Sequence, residues 1–249
     1  MLNIIIPMAG AGSRFTNAGY SLPKPLILVN KIPMIKLVIE NLSPIIEHRF
    51  IFICQHEHFF KFSLNDKFKE WAPNSEIVLI NGLTEGAACT VLEAKEYINN
   101  DEPLMIANSD QYITANINEY INNMKAEKLD GLIMTMDADD PKWSYVDLDS
   151  NKNVKRVVEK EVISNEATVG IYNFKHGKDF VESAQEMINQ NDRVNNEFYV
   201  APVYNYLIQK NKKIGIYNIG MVNNGMHGLG TPEDLDLFLS LPILKKNNK

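Results

Sequence analysis

"IIIPMAGAGSRFTNAGYSLPKPL", residues 4–26, joins an apolar run to a loop with two glycines and one arginine, and then to a lysine between two prolines. An apolar run bounded by turn residues reads as a strand buried on both faces. The loop after it, with Gly10, Gly12 and Ser13, allows close backbone approach and turns several N–H groups toward one point, as phosphate-cradling loops do. Arg14 adds a planar fork of donors, and Pro23 and Pro25 stiffen the chain around Lys24. Short glycine loops are often plain turns, and a lone lysine is usually a solvated one. Loop, arginine and braced lysine together form the specific signal. The segment is neither the dinucleotide fingerprint, which lacks its third glycine here, nor a P-loop, which ends in Gly-Lys-Ser/Thr.

Outward from this stretch, strand-like runs at 2–7, 50–54, 76–80, 104–107 and 131–136 alternate with helical spacing, which implies an α/β class with a parallel, helix-covered sheet. Helices are expected from Met34 to Leu42, Thr84 to Asn100, Asn116 to Lys128, and at 178–190 and 197–210. From Asp137 the pattern changes to short β-like pieces, which suggests a β-rich lid or subdomain for a second ligand. Near the end, Thr231 reads as an N-cap with Pro232 at the first helical position. The "KKNNK" tail is expected to fray.

The 249 residues are 45% hydrophobic with a formal net charge of -6, enough for a sizeable core and unfavourable for broad capture of nucleic acid. A small anionic ligand suits these numbers better. Cys54 and Cys89 lie in apolar stretches without metal-ligand spacing and read as core thiols of a reducing compartment. No run approaches the ~20 apolar residues of a membrane span, so the expectation is a cytoplasmic protein without membrane insertion.

Later motifs carry further candidates. In "NGLTEGAACTVLEA" (81–94), Thr84 suits either a helix cap or a ligand contact, and both readings stay open. "LMIANSDQY" (104–112) is an apolar strand ending in Asn108, Ser109 and Asp110, and ligands bind at the carboxyl ends of strands in open α/β sheets. A strand-ending Asp is also a common turn former. "VVEKE" alternates charge as a wet strand face does. His56 and His58 lack a third ligand, and "DADDP" lacks the glycine and glutamate of a calcium loop, so neither is taken as a metal site.

The strand, the G-x-G-[ST]-R loop and the downstream Pro-Lys resemble the sugar-phosphate nucleotidyltransferases, with Pro7 and Met8 where leucine and alanine are usual. The resemblance implies a Rossmann-like mixed sheet flanked by helices, similar to GT-A folds, with a small β-rich lid. It implies one nucleotidyltransferase domain over 1–249, its nucleotide-binding part at about 1–136 and its acceptor-binding part at about 137–230. The implied reaction joins a nucleoside triphosphate to a sugar 1-phosphate or similar phosphorylated acceptor, releases pyrophosphate, and serves surface-polysaccharide precursor synthesis.

By the same resemblance, Arg14, Lys24 and Asp110 are catalytic, and Asp110 holds Mg2+. Ala9, Gly10, Ala11, Gly12, Ser13, Arg14, Thr84, Gly86 and Asn108 contact the nucleotide. Ser144, Glu159, Lys160, Gly170 and Glu197 contact the acceptor. One departure is that Gly228 stands where the family often has a second metal-binding aspartate; either Asp110 works alone, His227, Asn223 or Asn224 compensates, or activity is lost. Two other readings compete: a glycosyltransferase using a finished nucleotide sugar, disfavoured because "SDQY" has a single acid, and a nucleotide sensor. A homodimer is compatible with such a chain.

Overall fold

The computed structural model describes residues 1–243, so the tail expectation at 245–249 lies outside the described residues. The strands are β1 (Leu2–Pro7), β2 (Leu28–Val29), β3 (Ile32–Pro33), β4 (His48–Gln55), β5 (Glu76–Ile80), β6 (Leu104–Ala107), β7 (Gln111–Ile113), β8 (Gly131–Asp137), β9 (Ser144–Leu148), β10 (Val154–Glu159), β11 (Glu166–Phe174), β12 (Ile214–Val222) and β13 (Gly225–Gly228). The helices are α1 (Ser13–Asn17), α2 (Met34–Leu42), α3 (His56–Lys61), α4 (Leu64–Trp71), α5 (Ala87–Leu92), α6 (Lys95–Ile98), α7 (Ile117–Ala126), α8 (Gly177–Asn189), α9 (Val203–Gln209) and α10 (Pro232–Ser240).

An 11-stranded sheet runs β5-β4-β1-β6-β11-β8-β12-β13-β7, with β9 and β10 attached beside β11. β1 lies between β4 and β6, parallel to both. Its alternate side chains feed two cores, Ile4 and Ile6 on one face and Ile5 on the other, which is the period of a strand covered on both sides. A third apolar cluster joins Phe15 behind the glycine loop to Leu229, Leu235 and Phe238, so α10 is packed against the loop's supporting helix.

The parallel reading gives way to a mixed sheet, because β11 runs antiparallel to both β6 and β8. A parallel neighbour needs a crossover connection, and β11 instead follows the β9–β10 pair directly. β6 and β11 therefore bring the two portions of the chain into one sheet.

Other expectations are adjusted by backbone demands. The helix expected over Thr84–Asn100 is two short helices, α5 and α6, and α5 starts after Gly86 without a side-chain cap. The helix expected at 197–210 is only α9, since Phe198 is hydrogen-bonded to the loop at Glu85 and Pro202 precedes the first turn. Thr231 does cap α10, its Oγ1 accepting from the Asp234 N–H at 3.1 Å. Cys54 is buried and its thiol is pushed up to about 12, whereas Cys89 is half-buried and so is not a core thiol. Among the described residues no helix is long and apolar enough to cross a membrane.

Candidate active site

The carboxyl ends of the adjacent parallel strands β1 and β6 open into one crevice, the usual place for ligands in such sheets. A cleft of about 410 Å³ lies there. Its walls include Ala9, Gly10 and Ala11 from the glycine loop, Thr84 and Gly86 from the loop before α5, and Asn108, Ser109 and Asp110 from the end of β6. Lys24 and Glu197 complete it.

Lys24 is held by its surroundings. It opens a short 3-10 turn whose N-cap is Pro23 in extended backbone, and the buried Leu26 anchors the turn from the other side. Gly12, at φ 62, folds the loop back so that a side chain there would begin 3.5 Å from Lys24 Cβ. Lys24 Nζ donates to Asp110 Oδ2 at 2.8 Å. Gly230 leaves room for that carboxylate, since a Cβ at 230 would stand 2.7 Å from Asp110 Oδ2. Ser13 and Arg14 lie in α1, exposed and outside the cleft walls, and Arg14 makes no ion pair among the described residues. The arginine fork is thus solvent-exposed and not part of the cleft wall.

Thr84 shapes its loop from within. Its hydroxyl donates to Gly86 O at 3.0 Å and meets Thr90 Oγ1 at 2.6 Å. Gly86 adopts φ 127, and a Cβ there would lie 2.5 Å from both the N and O of Phe198. That closeness allows a backbone seam: Phe198 N–H donates to Glu85 O at 2.8 Å and Ala88 N–H to Phe198 O at 3.0 Å. Arg193 closes the seam with its guanidinium 4.2 Å from the Phe198 ring centroid and 3.2 Å from a Glu85 oxygen. Val194 and Glu197 pair across Asn195 and Asn196, both at positive φ, as a tight hairpin turn requires. Arg193 was not singled out from sequence; the Asn-Asn pair was the available signal for this turn.

A second pocket of about 210 Å³ adjoins the cleft and shares Ala87 and Asn108 with it. Trp143, Ser144, Glu159, Gly170 and Tyr199 line it. Ser144 Oγ donates to the Glu159 carboxylate. Burial lifts the Glu159 carboxyl above its ordinary range, against the opposing pull of the Ser144 hydrogen bond and the Lys160 charge. Lys160 donates to Tyr199 Oη at 2.6 Å, and that bond raises its ammonium pKa. Gly170 lines this pocket at φ 86, close against Asn108, whose Nδ2 would sit 2.3 Å from an added Cβ. Glu197, from the turn that pairs with Val194, lines the larger cleft.

Around Gly228, an added Cβ would meet Asp234 Oδ2 at 3.4 Å. His227 belongs to β13; it is buried beside Tyr112 and Phe238, and burial lowers its pKa. Asn223 and Asn224 form the exposed turn between β12 and β13 and do not line the cleft. Among the described residues no group of three His, Cys, Asp or Glu side chains converges. Ser109, Asn108 and Glu197 line the same cleft as Asp110, an oxygen-bearing set that suits a hard cation such as Mg2+, an ion commonly held by one or two carboxylates with water and substrate phosphates.

The family described as nucleotidyl transferase matches residues 3–220. The chain is similar to the bifunctional protein GlmU of Methanococcus aeolicus, 23% identical over 98% of this chain and 55% of that protein. It is also similar to GlmU of Methanococcus maripaludis, 25% identical over 100% of this chain and 57% of that protein. The chain thus spans about half the length of these curated relatives. Among solved structures, a nucleoside-diphosphate-sugar pyrophosphorylase from Vibrio cholerae matches with a TM-score of 0.81 at 23% identity, over 96% of this chain and all of that one. A UDP-glucose pyrophosphorylase complexed with UDP-glucose matches with a TM-score of 0.77 at 15% identity, over 99% of both chains. These likenesses show the same fold.

Proposed function

The chain belongs to the nucleotidyl transferase family, and we propose that it joins a nucleoside triphosphate to a sugar 1-phosphate or a related small phosphorylated acceptor, releasing pyrophosphate. The observation that carries this reading is the 2.8 Å contact of Lys24 with Asp110 inside a cleft walled by the glycine loop and opening to a second pocket. In this reading residues 1–136 bind the nucleotide and residues 137–230 the acceptor, and the product supplies surface-polysaccharide precursors.

The chemistry needs little beyond alignment and charge neutralisation. An acceptor phosphate oxygen attacks the α-phosphorus; the new P–O bond forms as the bond to the β-phosphate oxygen breaks, and pyrophosphate leaves with that electron pair. A phosphate monoester has a second pKa of about 6 and is mostly a dianion near neutrality, so no general base is required. Backbone N–H groups of Gly10 and Ala11 cradle the triphosphate, Lys24 stabilises charge building on the transferring phosphoryl group, and the exposed Arg14 on α1 pairs with phosphate oxygens. Asp110 would hold magnesium, whose contribution when bound is neutralisation of phosphate charge. In the smaller pocket Glu159 accepts from acceptor hydroxyls, and the exposed Lys160, bonded to the lining residue Tyr199, pairs with anionic oxygen.

The test is thermal stability with ATP, GTP, CTP, UTP and dTTP, each with and without magnesium, followed by pyrophosphate release with phosphorylated acceptors. Selective binding raises the melting temperature by mass action. A magnesium-dependent shift with one triphosphate and pyrophosphate release with an acceptor support the reading. Shifts with nucleotide sugars alone, and no pyrophosphate release from any combination, would overturn it in favour of a glycosyltransferase or sensor.

A further inference from the structure

In the sheet order β5-β4-β1, the strand β4 lies between the two strands that lead into loops of the cleft. β1 leads to Ala9, Gly10 and Ala11, and β5 leads to Leu83 and Thr84. Neighbouring strands lie about 4.8 Å apart, so the loops after β1 and β5 leave the sheet roughly 9–10 Å from each other. The backbone ladder between them ends there: β4 stops at Gln55, and the chain turns into α3 at His56.

The side chain of Gln55 carries the ladder one step further. Gln55 is the N-cap of α3, yet its side chain makes no cap bond to that helix. Its Nε2 donates to Ala9 O at 2.7 Å and to Gly82 O at 2.7 Å, and its Oε1 accepts from the Gly82 N–H at 3.1 Å. A glutamine amide has two N–H donors and one carbonyl, and all three are engaged. The two bonds exchanged with Gly82 copy the pairing of one strand residue with another, so the amide stands in for a further peptide of β4. Gly82 meets it at φ 76, a conformation that glycine adopts freely. The reverse amide orientation would set its oxygen against two carbonyls, so these partners also fix its direction. Gln55 itself does not line the cleft.

We propose that Gln55 is a positioning residue that sets the separation of the glycine loop and the Thr84 loop, and so the affinity of the cleft for a nucleoside triphosphate. The role rests on the nucleotide-binding reading given above. Holding both loops in place before the ligand arrives lowers the entropy lost on binding. The acceptor pocket is bounded by other segments, with only Ala87 and Asn108 in common, so its affinity is independent of this bridge.

Gln55→Met keeps the length and neutrality of the side chain and removes all three bonds; Gln55→Asn keeps the amide but is one methylene too short to reach both loops. Two readouts are needed: hydrogen exchange of the Gly82 amide in the free protein, and steady-state pyrophosphate release with ATP, GTP, CTP, UTP and dTTP. In Gln55→Met the Gly82 amide should exchange at least tenfold faster, and KM for the triphosphate used by the parent should rise about fivefold. KM for the acceptor, kcat and the melting temperature should stay close to the parent's, and Gln55→Asn should fall between the two. An unchanged Gly82 exchange rate or an unchanged triphosphate KM would overturn the proposal. So would an equal loss in acceptor KM and kcat, the mark of a general structural role. A parent that releases pyrophosphate with none of the five triphosphates would instead fail the transferase reading, and the role of Gln55 would fall with it.

Discussion

Lys24 Nζ stands 2.8 Å from Asp110 Oδ2, although the two residues are 86 positions apart in the chain. Their side chains are 25% and 23% exposed, so the pair contributes about 1 kcal/mol or less to stability. Its value lies in setting a cation and a carboxylate at fixed positions on the floor of the cleft.

Lys24→Ala and Asp110→Asn should each cut turnover by about 10²–10³-fold, the range for losing one preorganised charge contact, with melting temperatures close to that of the parent. Steady-state pyrophosphate release and thermal melts check this. Near-normal rates in both variants would remove the mechanism proposed above.

The seam at Phe198 predicts an asymmetry between two neighbouring changes. Gly86→Ala adds a Cβ 2.5 Å from the Phe198 backbone at a φ of 127, and should destabilise the fold by about 2–3 kcal/mol or more in urea unfolding. Arg193→Met keeps the backbone hydrogen bonds and loses the Glu85 pair and the ring contact. It should melt near the parent temperature and raise KM several-fold, because the hairpin carrying Glu197 and Tyr199 is less well placed.

Glu159 makes stability depend on pH in a defined direction. Burial lifts its carboxyl above the ordinary 4.5, so between that value and the lifted one the folded chain holds more protons than the unfolded chain. Stability from this group therefore falls as pH rises through the interval. Glu159→Gln removes the titration, and its melting temperature should gain on the parent's as pH rises from about 4 to about 7. A constant difference across that range would count against a lifted Glu159.

His227 acts on the acid side. Burial lowers its pKa below the ordinary 6.5, so in acid the unfolded chain takes up a proton that the folded chain resists. Stability is lost as pH falls below 6.5 and through the lowered value. His227→Phe, beside Tyr112 and Phe238, should lose less stability than the parent between pH about 7 and about 5, measured by denaturant unfolding.

Most elements were legible because apolar period reports burial locally. The runs at 2–7, 76–80 and 104–107 coincide with β1, β5 and β6, and the Thr231 cap is where side-chain chemistry puts it. Ala9, Gly10, Ala11, Lys24, Thr84, Gly86, Asn108 and Asp110 were all named from sequence, and all line one cleft. The direction of β11, the burial of His227, the place of Glu197 in that cleft and the clasp of Arg193 on Phe198 were not legible.

By itself the sequence determined where most strands and several helices form and which loops carry glycine, lysine and carboxylate, since these follow from neighbouring residues. Only the tertiary structure decided that Lys24 meets Asp110, that Asn108 lies close against Gly170, and that Gln55 bridges the loops at Ala9 and Gly82. Those contacts depend on which strands lie side by side and in which direction, a choice made by packing across the whole sheet and written in no single stretch of chain.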